Sequence, residues 1–288
     1  MRFTVTLPKR LLMLLFTFII GYVLVAVIAF IIQKIAGPES VPGLRILMVM
    51  QDLFMFIAPA VLTAVIITRQ PAELMLLDRR PFWPGLIMGL CVMVAAIPAM
   101  NLIIHLNESI PLPEPIEQVL RQMEDTAAGT IETLYAGHTV GSLVMGMLIV
   151  AILAGLSEEI LFRGALQRIL STGGLNTHTA IWITAAVFSL MHLQFYGLIP
   201  RMLLGAFFGY MLWWSRSLWA PIILHAFNNA IYVVAQWFAN GEEESALDAL
   251  GTTVSLSDII IVCVSVALTV LGIIIARRNF SKIDNLSI

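Results

Sequence analysis

The sequence predicts an all-α integral membrane protein with about eight transmembrane helices. Three observations lead there. Of 288 residues, 59% are hydrophobic and only 12% charged, whereas a soluble domain is roughly 45–50% apolar and about 25% charged. The apolar residues gather in runs near the length of a helix that crosses a bilayer, about 20 residues. The runs are unbroken, whereas the strands of a membrane barrel alternate about every second residue, and only helices or closed barrels cross lipid. An ordinary soluble enzyme and a disordered chain are excluded. The net charge of −2 offers no basic surface for nucleic acid, so no nucleic-acid partner is expected.

Taken in order, the first run is Leu11–Ile32, 22 uncharged residues after Lys9 and Arg10. It exceeds a signal-peptide core of about 7–15 residues and reads as a retained anchor. Ile46–Thr68 and Phe82–Ile104 follow. A loop from His105 to Thr139 then carries PLPEP and an acidic stretch. Ile116, Val119, Leu120 and Met123 recur there at helical spacing, which predicts an amphipathic helix on the membrane face. The fourth run starts at Val140 and continues through Ser157, and the fifth is His178–Gln194. Met202–Trp214 is the shortest; Pro221–Phe238 and Ile259–Ala276 complete the set. Glu242, Glu243 and Glu244 read as a solvated loop. Cys91 and Cys263 lie inside apolar runs and are expected to be small buried residues rather than a disulfide. With no internal repeat, residues 1–288 read as one membrane domain. Its parts are N-terminal spans and outer loop (1–139), a core (140–240), and a last span with its tail (241–288).

Loop charge orients the chain. With the N-terminus inside, 12 Lys and Arg residues fall on the cytoplasmic side and 4 outside, and both termini are cytoplasmic. No long soluble extension or organelle-targeting segment is evident, so a bacterial inner membrane is the expected setting.

An ionisable group inside a bilayer costs at least a few kcal/mol and marks function by default. Such groups cluster on three segments. In GLSEEILFRGALQ, Glu158 and Glu159 follow 18 charge-free residues. Arg163 stands four after Glu159 and can pair with it, whereas Glu158 points about 100° away. The pattern runs on to a stop at Gly173-Gly174, predicting one helix from about 141 to 171. In AAVFSLMHLQF, His192 follows Phe188 by one turn. Glu158 and His192 lie at similar distances from the turn near Gly174, so an antiparallel hairpin sets them at one depth. In WAPIILHAFNNAIY, His225 and Asn229 share a face at i, i+4, while Asn228 lies off it.

Together these segments offer Glu158, His192, His225 and Asn229, supported by Glu159 and Arg163. A carboxylate can take a proton from water that a neutral imidazole holds. Donors from a third helix can stabilise an oxyanion. The set suits hydrolysis of an amide in or beside the membrane.

Glu158-Glu159-x-x-x-Arg163, Phe188-x-x-x-His192 and His225-x-x-x-Asn229 resemble, in order, the three motifs of the CAAX protease and bacteriocin-processing family of intramembrane proteases, which includes the type II CAAX prenyl endopeptidases. The likeness covers roughly residues 140–240. It implies that Glu158 is the catalytic carboxylate working with His192 on water. It implies that His225 and Asn229 stabilise the oxyanion and that Glu159 and Arg163 shape the site. The implied substrate is a membrane-bound protein or peptide, which some members take in lipidated form. Members are described both as metalloproteases and as purely glutamate-dependent. Glu158, His192 and His225 could hold zinc with one open position, but no obligatory cofactor is expected.

Other chemistries lack their signatures. There is no H-E-x-x-H, no G-x-S-x-G elbow and no Gly-Asp pair for an aspartyl site. Two other classes stay open from sequence: a proton-coupled transporter, and a non-catalytic immunity or scaffold protein of the same fold. Asp52, in the second run, has no assigned role.

Overall fold

The computed structural model describes residues 5–37, 40–135, 138–239, 250–253 and 255–286, which leaves the acidic Glu242–Glu244 segment outside the described residues. Among them every regular element is helical. In chain order these are α1 (Leu7–Ala36), α2 (Val41–Ile67), the short α3 (Pro71–Met75), α4 (Trp83–Glu108) and α5 (Glu114–Tyr135). There follow α6 (Val140–Thr172), α7 (Thr177–Leu190), α8 (Leu198–Ser215), α9 (Trp219–Ala239) and α10 (Leu256–Leu286). All eight apolar runs form helices. Five of them, α1, α2, α4, α6 and α10 (over Leu256–Phe280), are long and apolar enough to cross a membrane, and α7 is a shorter apolar helix.

The packing is inverted relative to a soluble protein. Leu12, Phe16 and Phe30 of α1 and Ile260, Val264 and Leu268 of α10 all face outward, as they would toward lipid. The polar groups Glu159, Arg163, Thr184 and Ser189 are buried. Cys91 and Cys263 are free and exposed, contrary to the buried placement expected from their apolar context. An apolar run says that a residue avoids water, and in a bundle ringed by lipid the outer surface satisfies that as well as the core does.

The longest pairings are α4 along α10 and α7 along α8, with α9 laid over the first half of α6. Pro98 interrupts the α4 ladder. Ser265 of α10 spans the gap, its Oγ accepting from Ala99 N at 3.2 Å and donating to Ala95 O at 2.5 Å. This is how a membrane helix tolerates proline: a neighbour satisfies the freed backbone groups. Where α9 crosses α6, a Cβ on Gly155 would meet Ala226 N at 2.8 Å. Only glycine permits that approach, and it carries His225 toward α6.

Three segments are π-helical: Asp52–Ile57 in α2, and Met147–Leu153 and Ile160–Gln167 in α6. Such widened turns occur frequently at functional sites. Two of these flank Glu158 along α6, and the third faces it from α2.

The fourth run and the charges after it form one helix ending at Gly173, close to the 141–171 predicted. Asn176 caps α7 by accepting from His178 N at 2.8 Å. The expected outer-loop helix is α5, with Ile116 and Val119 exposed. The fifth helix is shorter than its apolar run and stops at Leu190.

Candidate active site

His192 therefore lies in the turn just beyond α7, not within a span as its apolar context predicts. Its Nδ1 sits 2.8 Å from the Phe188 carbonyl. A carbonyl oxygen only accepts, so Nδ1 carries the hydrogen and a neutral His192 presents the lone pair of Nε2. That nitrogen faces Glu158 Oε2 at 3.9 Å.

His225 reaches the same oxygen from α9, its Nε2 3.8 Å from Glu158 Oε2. Its Nδ1 donates to Glu159 Oε1 at 2.8 Å. Arg163 donates to that same Oε1 at 2.7 Å and to the Gly205 carbonyl at 2.9 Å. Glu159 and Arg163 are completely buried. Their charges are tolerable only because each neutralises the other and hydrogen bonds take up part of what water would supply. The two adjacent glutamates thus differ as the helical 100° offset predicts. Glu159 is locked inward, whereas Glu158 Oε2 is buried without a hydrogen bond.

Aromatic rings hold the imidazoles. Phe188 meets His192 edge-on at 4.9 Å and His225 at 5.7 Å, and the Arg163 guanidinium lies 4.5 Å from its centre. Phe208 stacks on His225 at 5.0 Å. Asn229 spends one amide hydrogen on the Val150 carbonyl at 3.1 Å, in the π-helical part of α6. Its second amide hydrogen remains to offer. Asn228 donates to Asn229 Oδ1 at 3.4 Å, a local contact.

Asp52 is the group that sequence reasoning left without a role. It is buried on α2 and accepts from Ser157 Oγ at 2.6 Å. Ser157 precedes Glu158, so this bond ties α2 to the helical turn that carries the free carboxylate. The signal was a lone acid inside an apolar run; its partner is 105 residues away and has no spacing to betray it.

Zinc holds its ligand atoms at about 2.0–2.2 Å. Among the described residues, no group of three or more His, Cys, Asp and Glu side chains is placed to hold a metal ion. Around one tetrahedral zinc, neighbouring ligand atoms stand about 3.3–3.5 Å apart, and Glu158 Oε2 lies 3.9 and 3.8 Å from the two imidazole Nε2 atoms.

Residues 140–231 match the family model described as type II CAAX prenyl endopeptidase Rce1-like. No curated protein and no solved structure matches the chain. The matched segment begins with α6 and ends two residues beyond Asn229, so it contains all seven motif residues. Over this segment, about a third of its length, the chain is similar to the CAAX protease family of membrane proteins.

Proposed function

We propose that this protein is an intramembrane endopeptidase of the CAAX-processing type that cleaves a membrane-bound protein or peptide with water activated by Glu158 and His192. One observation carries the reading. Glu158 Oε2 is buried, unbonded, and within 4 Å of two imidazole nitrogens, each of which has its hydrogen committed on the far side. Three acceptors converge with no donor among them. A water molecule supplies the missing hydrogens and takes up the gap.

The chemistry follows from the placement. Glu158 removes a proton from that water while His192 Nε2 accepts its other hydrogen bond. The resulting hydroxide attacks the peptide carbonyl, and the carbonyl π pair moves onto oxygen. The free Asn229 N–H donates to that oxyanion, and His225, held by Glu159, keeps Glu158 and its water in place. Glu158 returns its proton to the amide nitrogen, the C–N bond breaks to give a carboxylic acid and an amine, and the acid's proton passes to the amine, so that a carboxylate and an ammonium leave. Glu159, Arg163 and Phe188 hold the two imidazoles in place.

Cytoplasmic termini are part of the same proposal, supported by the 12 to 4 distribution of Lys and Arg, and the setting we propose is a bacterial inner membrane. The test is a mass-spectrometric cleavage assay with purified protein in lipid, on a pool of membrane and lipidated peptides, with and without chelator. Wild type is expected to cut with chelator present, and Glu158→Gln to be slower by about 10²–10⁴-fold. Cleavage that survives Glu158→Gln overturns the role of Glu158. Cleavage abolished by chelator and restored by zinc overturns the metal-free mechanism.

A further inference from the structure

His192 belongs to the turn 191–197 that joins α7 to α8. The next residue, Leu193, holds left-handed backbone at φ 55°, a conformation that crowds the Cβ of any residue but glycine. Its side chain is largely exposed, so its own packing does not impose that shape. Such backbone persists where surrounding contacts over-determine it.

Two side chains from other helices hold the turn. Asn107, buried near the end of α4, donates from Nδ2 to the Phe195 carbonyl at 3.0 Å and accepts from Ile199 N at 3.1 Å. That fixes the side of the turn that enters α8. Glu124 of α5 takes the side next to His192. Its Oε2 accepts from Gln194 Nε2 at 2.9 Å and its Oε1 from Tyr196 N at 3.2 Å. Gln194 is gripped from its other end by Arg201 of α8, which donates to its Oε1 at 2.9 Å and to its carbonyl at 3.4 Å. Gly197 makes room for that guanidinium, since a Cβ there would stand 2.8 Å from Nη2. The Gln194 amide therefore bridges a carboxylate and a guanidinium, and only one orientation gives each a proper partner. An outer-loop helix ordinarily leaves its carboxylates to solvent, as Asp125 is left. Glu124 instead has both oxygens engaged by the turn.

We propose that Glu124 is a positioning residue for His192: it fixes the turn from which His192 Nε2 faces Glu158, and so makes α5 part of the cleavage apparatus. Its effect on rate rests on the cleavage reaction proposed above. Glu124 lies ahead of the matched segment, residues 140–231, and outside every motif.

The test exchanges the two partners in the full-length protein in lipid. Glu124→Gln sets one amide donor against another, and Gln194→Glu sets two carboxylates together. The double variant Glu124→Gln, Gln194→Glu can remake every bond. The amide at 124 then donates to the carboxylate at 194 and accepts from Tyr196 N, while that carboxylate still accepts from Arg201. Each single change is expected to lower kcat roughly 10- to 100-fold with little change in KM, and the double variant to regain most of the loss. The imidazole nitrogen NMR spectrum of histidine-labelled protein reads the same effect without turnover, with the His192 signals identified by their loss in His192→Gln. Wild type should show His192 protonated at Nδ1; its signals should move or broaden in each single variant and return in the double. The proposal is overturned if either single variant cuts as wild type does, if the double is no faster than the slower single, or if the His192 signals are unchanged in the single variants. Wild type that cuts nothing counts against the cleavage reading, and the spectrum then decides alone whether Glu124 holds His192.

Discussion

Two places along α6, its middle and its C-terminal turn, make opposite use of the same helix. At Glu158, acceptors converge without a donor, enclosed by Phe188, Phe208 and three helices. At Arg168 basic side chains gather instead, Arg168 sharing a cavity with Arg79 and Arg216. Between them lies the Glu159–Arg163 pair, buried to the last atom and neutral as a unit. A charge inside such a bundle is tolerated where a neighbour complements it. Where complementation stops, at Glu158 Oε2, a water has something to supply.

Four sets of substitutions test that contrast. The largest effect on rate belongs to Glu158→Gln, with little change in thermal unfolding, because Glu158 leaves no buried partner unpaired. Glu159→Ala should do the reverse, costing about 3–5 kcal/mol of stability by stranding the buried Arg163 charge. Unfolding temperature and membrane yield of the two neighbours, measured side by side, check this; equal destabilisation would mean that the two carboxylates do not differ as described. Gly155→Ala comes next. Its Cβ would sit 2.8 Å from Ala226 N, so α9 must back away at about 1–3 kcal/mol, taking His225 with it. Both lower stability and lower cleavage are expected, and an unchanged rate would show that α9 need not approach so closely. The smallest effect is at α2. Ser157→Ala removes the donor to buried Asp52 and should cost about 1–3 kcal/mol. Asp52→Asn in that background should recover part of the loss, because an amide tolerates burial better than a bare carboxylate. Double-mutant unfolding curves would read the coupling.

Much of the candidate site was legible because its spacings are local. Glu159 and Arg163 at i, i+4 form the ion pair that the helical period requires. Glu158, one position earlier, escapes it for the same reason. The hairpin argument set Glu158 and His192 at one depth from residue counts, and their atoms lie 3.9 Å apart. What failed has a common cause. His192 read as part of a span because Met191, Leu193 and Phe195 are apolar, yet α7 ends at Leu190 and Leu193 turns to left-handed backbone at φ 55°. The turn is then held from α5, where Glu124 accepts from Gln194 Nε2 at 2.9 Å and Tyr196 N at 3.2 Å. No local pattern announces a contact made 70 residues away.

The sequence by itself determined that this chain is a helical membrane protein, which polar residues interrupt its apolar runs, and which of them share a helix face. Those properties depend on composition, run length and a period of 3.6, all readable along one dimension. Tertiary structure alone decided that Glu159 holds both Arg163 and His225, that Asp52 braces the turn before Glu158, and that three arginines from separate segments share one cavity. It also decided that the cysteines face outward. Each of these depends on which helix packs against which, and in lipid hydrophobicity does not choose between the inside and the outside of the bundle. Close packing at glycines and the need to complement buried charge make that choice.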